Sequence, residues 1–161
     1  MTVVVNGQQK SLAAFANVDS DGQKDAVNGV FQCTALVAQY LTLLGFKNAP
    51  SELPNGKNVA SFLAKADGQY FSSSSMAAPK VGSIISFGPI GSADTAGHVA
   101  IVKGITMQND GTIVVTLIED NYTLQGQNTF AVNRTLTFVQ GSNGTWSSPN
   151  VVGWVTPTSL P

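Results

Sequence analysis

Cysteine and histidine each occur once in this chain of 161 residues, and both can drive nucleophilic chemistry near neutral pH. After Cys33, the apolar residues Leu36, Val37, Tyr40, Leu41 and Leu44 recur at the three-and-four spacing of an amphipathic helix. Asn28 and Gly29 suit a turn upstream and Gly45 a left-handed cap downstream, which predicts a helix starting near Gln32 or Cys33. The sulfur then sits where unpaired backbone N–H groups favour an anion, and the thiolate is the nucleophilic form. A small buried hydrophobe fits the same stretch, because cysteine is among the most buried residue types. Both readings stay open on this evidence alone.

His98 opens a β-prone run to Ile105, Asn109-Asp110-Gly111 marks a hairpin turn, and Thr112 to Glu119 returns. In an antiparallel pair with an even-numbered loop, His98 shares a face with Leu117, Glu119 and Asn121, while Asp120 points away. A four-residue loop over Met107–Asp110 sets Glu119 directly opposite His98; a two-residue loop makes Asn121 its diagonal neighbour. A bulge breaks this parity. Alone, His98 reads as an ordinary satisfied histidine. Joined to a lone cysteine at a helix start and a Glu/Asn pair on its own face, it completes the parts of a thiol hydrolase.

The rest of the chain must position these groups. The start, Met1 to Gly7, is apolar but lacks the basic region of an intact signal peptide, and Lys10 to Asn17 suggests a helical turn or two. Asp19, Asp21 and Asp25 form a carboxylate-rich loop similar to the start of an EF-hand, yet without its closing glutamate, so a solvated turn is expected. A second helix is predicted over Asn58–Ala66, then strands at Ile84–Phe87, around Phe130–Val139 and at Val151–Val155. Helices followed by strands predict an α+β fold with an antiparallel sheet, in one domain over residues 1–161. Apolar residues make up 43% and charged residues 11%, with a formal net charge of −1. Arg134 is the only arginine, and this balance argues against nucleic-acid or membrane partners. One cysteine excludes an internal disulfide.

Five stretches carry a resemblance. Asn28-Gly29-Val30-Phe31-Gln32-Cys33-Thr34, Gly82-Ser83-Ile84-Ile85-Ser86-Phe87, Gly97-His98-Val99-Ala100-Ile101-Val102, Glu119-Asp120-Asn121 and Gly153-Trp154-Val155-Thr156-Pro157 follow in the order of a CHAP domain. The name denotes cysteine, histidine-dependent amidohydrolases/peptidases, a branch of the NlpC/P60 group with a papain-like fold. The resemblance covers about residues 28–157 and implies helices packed on an antiparallel sheet. It implies Cys33 as nucleophile, His98 as base, Glu119 as orienting acid and Asn121 as accessory amide. Ser83 stands where these domains often carry aspartate. Some phage members bind calcium just ahead of the cysteine; the aspartates here lie further upstream, and that site is not carried over.

The implied reaction is acyl transfer through a Cys33 thioester, with no metal or organic cofactor. The implied substrate is bacterial peptidoglycan, cut at the sugar–peptide amide or within its peptides. An amidase for a small conjugate such as glutathionylspermidine is an alternative, as is a catalytically silent binding module. A monomer is expected, secreted or in the cell envelope, with a cytoplasmic location also open. Many free-standing wall lytic domains are strongly basic, whereas this chain has eight Lys and Arg against nine Asp and Glu. The isolated chain should therefore digest purified sacculi but lyse intact cells poorly, and need a targeting or delivery partner. Turbidity of whole cells beside fragment release from sacculi checks this; rapid, salt-sensitive lysis of cells would refute it.

Overall fold

The computed structural model describes residues 1–12, 26–27, 30–31, 33–47, 53–89, 95–120 and 130–161, with side chains described for these except 26–27, 30–31 and 130–133. Two short hairpins come first, β1 (Thr2–Val5) with β2 (Gln8–Ser11), and β3 (Ala26–Val27) with β4 (Val30–Phe31). Lys10 and Ser11 therefore belong to a strand and not to a helical turn; Ala13–Asn17 lie outside the described residues. Helix α1 (Cys33–Leu44) follows, then a 3-10 turn (Gly56–Asn58) leading into α2 (Val59–Ala66). The remaining strands are β5 (Phe71–Ser72), β6 (Ile84–Phe87), β7 (His98–Met107), β8 (Ile113–Asp120), β9 (Phe130–Gln140), β10 (Trp146–Ser147) and β11 (Val151–Pro157). They form one sheet in the order β10-β9-β8-β7-β6-β11-β5, antiparallel at every step.

Helix α1 forms where its apolar spacing predicts, burying Leu36, Val37, Tyr40, Leu41 and Leu44. Gly45 ends it at φ 106°, with Gly45 N–H donating to Thr42 and Phe46 N–H to Leu41. These two bonds are the paired closure of a Schellman cap, which a glycine adopts without a Cβ penalty. The Tyr40 hydroxyl donates to the Gly82 carbonyl at 2.8 Å, tying the middle of α1 to the turn before β6.

The sheet has two apolar faces. Ile84, Val99, Ile101, Ile118 and Val155 pack with α1, α2 and the β1–β2 hairpin. Ile85, Phe87, Val102, Leu117, Phe138 and Trp154 form a second cluster on the other face. Phe138 on β9 and Trp154 on β11 meet edge to face with centroids 5.3 Å apart. Four strand spacings would hold them roughly 19 Å apart in a flat sheet. The sheet is therefore curled around its second cluster.

Ser86 hooks the α2 region to β6. Its hydroxyl donates to the Gly56 carbonyl at 2.7 Å and accepts from Ala60 N–H at 3.0 Å, all buried. Ser86→Ala removes the partner of the Ala60 N–H and one of the two donors to the Gly56 carbonyl, which keeps the Val59 N–H, and should cost about 1–3 kcal/mol. A urea midpoint unchanged from the parent would contradict this.

Candidate active site

Cys33 is the first residue of α1 and partly buried, so its sulfur projects from the helix end where backbone N–H groups lack intrahelical partners. His98 is the first residue of β7 and 3% exposed. Its strand start is fixed from outside by the 3-10 turn. Lys57 N–H donates to Ala96 at 3.0 Å, and a Cβ on Gly56 would lie 2.6 Å from the His98 carbonyl carbon. Gly97 at φ 65° makes the bend into the strand, where a Cβ would collide with the Phe87 carbonyl and Lys57. Only glycine fits that combination of backbone angle and close approach.

The β7–β8 hairpin brings Glu119 to His98 by two departures that cancel. The turn is odd: Asn109, Asp110 and Gly111 form it, with Gln108 N–H bonded to Thr112 O and Gly111 at φ 84°. That is a type I turn closed by a left-handed glycine. An odd loop alone would have turned Asp120 toward His98. The register then shifts between Gly104↔Thr116 and Val102↔Leu117, leaving Lys103 as a bulge residue on β7. One extra residue reverses the facing of all that follows. Glu119 consequently shares the face of His98, as the even-loop argument expected, but not directly opposite it. Continuing the Ile101↔Ile118 register by one residue sets Glu119 beside Ala100, and it reaches His98 diagonally.

His98 Nε2 lies 2.9 Å from Glu119 Oε1. Its ring is also within hydrogen-bond reach of the Cys33 side chain. With Nε2 committed to the carboxylate, Nδ1 is the nitrogen left for the sulfur. Burial disfavours the charged ring, but the hydrogen bonds and negative charge of Cys33 and Glu119 outweigh it and raise His98 from 6.5 to about 9. Glu119 has no exposed side-chain surface. Burial pushes its pKa up, but His98 and Arg134 overcome this and hold it below the ordinary 4.5.

Arg134 was not among the sequence candidates. On β9 it pairs with Leu117, and from there its Nε donates to Glu119 Oε2 at 2.6 Å and its Nη2 to Oε1 at 2.8 Å. Its guanidinium carbon stands 5.1 Å from the centre of the Phe87 ring, whose other neighbour is His98 at 5.7 Å. The sequence signal was thin: a sole arginine on a strand, read only for its charge. Asn121, Gln32 and the Asp19, Asp21 and Asp25 loop lie outside the described residues. Among the described residues no group of three or more His, Cys, Asp or Glu is placed to hold a metal ion. A cavity of about 710 Å³ runs beside α2 and β11, lined by residues including Lys57, Phe62, Lys65 and Trp154; Cys33 and His98 are not among its lining.

A CHAP domain model matches residues 22–121. The chain belongs to the CHAP family. Cys33, His98 and Glu119 fall inside the matched span and Arg134 outside it. No curated protein matches the sequence. Among solved structures, the chain is similar to Ly7917. The Ly7917 crystal structure with the hydrolyzing product of MDP aligns with a TM-score of 0.51 at 18% identity, over 90% of this chain and 63% of that one. A second Ly7917 crystal structure aligns with a TM-score of 0.50 at 21% identity, over 89% and 62%. The chain thus spans less than two thirds of the Ly7917 chain, and the likeness is one of fold: a CHAP-type α+β fold with helices packed on an antiparallel sheet.

The raised histidine and lowered glutamate set opposite pH limits on stability. The His98 contribution is full below pH 6.5 and is lost as pH rises through about 9; the Glu119 contribution is present above 4.5 and is lost as pH falls through its depressed value. Thermal midpoints should stay level from pH 5 to 6.5 and decline toward pH 9. His98→Gln should flatten that decline, and an equally steep fall in the variant would contradict the assignment.

Proposed function

We propose that the chain is a cysteine amidohydrolase of the bacterial cell wall, in which Cys33 attacks an amide of peptidoglycan and His98 moves the protons. The observation that carries this reading is the buried histidine whose Nε2 meets Glu119 and whose ring is within hydrogen-bond reach of Cys33, in a chain of the CHAP family. Ly7917, with the same fold, is described with the hydrolyzing product of MDP, which supports a wall-derived substrate.

With Nε2–H donated to Glu119, His98 in its charged form presents Nδ1–H to the Cys33 thiolate. The thiolate adds to the amide carbon, and the oxyanion meets the Cys33 backbone N–H at the start of α1. The C–N bond breaks as Nδ1–H passes its proton to the leaving amine, which gives a thioester and a neutral imidazole. Nδ1 then takes a proton from water, whose oxygen attacks the thioester carbon. The tetrahedral intermediate expels the thiolate and leaves a carboxylic acid. Glu119 remains ionised throughout and stabilises the imidazolium at both of its appearances. The leaving group is an amine in every case, so sugar–peptide and peptide–peptide amides both suit the site.

Mass spectrometry of fragments released from purified peptidoglycan tests the reading and names the bond. New amino and carboxyl termini should appear with the parent chain. Cys33→Ala and His98→Ala should each slow their release by roughly a thousandfold or more, because nucleophile and base act as a unit. Undiminished release by Cys33→Ala would end the thiol mechanism. Glu119→Gln keeps the shape but loses the charge, and should lower turnover and move the basic limb of the pH profile down from about 9.

A further inference from the structure

We propose that Arg134 is a positioning residue for the Cys33–His98 pair: its two-pronged grip on Glu119 fixes the carboxylate that orients the histidine. This rests on the reading of Cys33 and His98 as the reacting pair. Glu119 is fully buried, and a carboxylate there needs donors on both oxygens to remain an anion. Its Oε2 is held by Arg134 Nε at 2.6 Å. Its Oε1 accepts from both Arg134 Nη2, at 2.8 Å, and His98 Nε2, at 2.9 Å. A guanidinium reaches both oxygens of one carboxylate in a single plane, which leaves Glu119 no freedom to rotate away from His98. An ammonium offers only a point charge.

The arginine is itself braced. Phe87 pairs with His98 across β6 and β7, and its ring lies under the guanidinium at 5.1 Å and tilted against the imidazole at 5.7 Å. Arg134, Glu119, His98 and Phe87 thus come from four neighbouring strands and lock one another. The charges also balance. With His98 protonated and Cys33 ionised, two cations and two anions share the site and sum to zero. Without Arg134 the same state carries a net negative charge against a buried carboxylate. The titratable groups facing Glu119 are His98 from β7 and Arg134 from β9, with Cys33 from α1 reached through His98; Asp120 follows it on β8. A side chain serving only to pack β9 would leave the ionisation of Glu119 untouched.

His98 is the only histidine, so its ring proton gives a single resolved NMR titration in the whole chain. Protonation of Glu119, 2.9 Å away, appears in that signal as a second inflection at acidic pH. In Arg134→Met the acidic inflection should move up by at least one pH unit, a tenfold change in acid constant. Arg134→Lys should move it partway. Both should lower kcat by tenfold or more with little change in KM, and the acidic limb of the rate profile should follow the NMR inflection. An inflection unmoved in a folded Arg134→Met would overturn the proposal. If that variant fails to fold, an unmoved inflection in Arg134→Lys, which keeps the stem and the charge, overturns it equally. The titration needs no substrate. Intact peptidoglycan in the presence of a moved inflection would count against the wall-hydrolase reading alone.

Discussion

A carboxylate removed from water is costly unless cations and donors surround it, and the geometry of this chain converges on satisfying one. Glu119 draws its donors from the strands on either side of β8. His98 comes from β7 and Arg134 from β9, so neither neighbour can slip by a residue without stranding the charge. Register in a curled sheet with two buried faces is already constrained, because a one-residue slip would exchange the faces. The buried triad adds a polar lock to that apolar one. The imidazole held by this lock is what the sulfur at the start of α1 meets.

The helix side of the site is organised differently. The Tyr40 hydroxyl ties α1 to Gly82, and the helix is seated by Leu36, Val37, Leu41 and Leu44 against Ile101 and Ile118 on the face away from His98 and Glu119. Nucleophile and base are therefore held by different means, an apolar helix seat and a polar strand network on the same strands β7 and β8. That difference explains how a single cysteine lies partly exposed at an apolar core without being sealed into it. It also places the leaving-group proton and the attacking sulfur on different elements.

Much of this was legible in the residues. The three-and-four spacing after Cys33 marked α1 to within a residue, since one face is wholly apolar and Gly45 ends it. Alternation and turn residues marked β6 to β9 and β11. The hairpin parity was read correctly for His98 and Glu119, though not for the reason given. The odd turn at Asn109–Gly111 and the bulge at Lys103 each overturn the parity, and only together restore it; neither leaves a mark in hydrophobic pattern, because Lys103 is an ordinary exposed residue of a strand. The strands β3, β4, β5 and β10 were missed because two residues are too brief for periodicity to declare itself, and the end of β2 was read as the start of a helical turn at Lys10. Arg134 was missed for a deeper reason. Its partner lies fifteen positions away in sequence on an adjacent strand, and a cation's partner across a sheet depends on register, which composition does not encode.

The central claim is that the Cys33 sulfur is activated by its contact with His98 and is not an inert core thiol. As the only cysteine, it reports without interference. The most direct measurement is its rate of alkylation by iodoacetamide at pH 6, followed by intact mass, in the parent chain and in His98→Ala. The account predicts rapid single-site labelling of the parent and a loss of at least tenfold in the variant. Equal rates in the two chains, or a parent thiol that stays unlabelled, would contradict it.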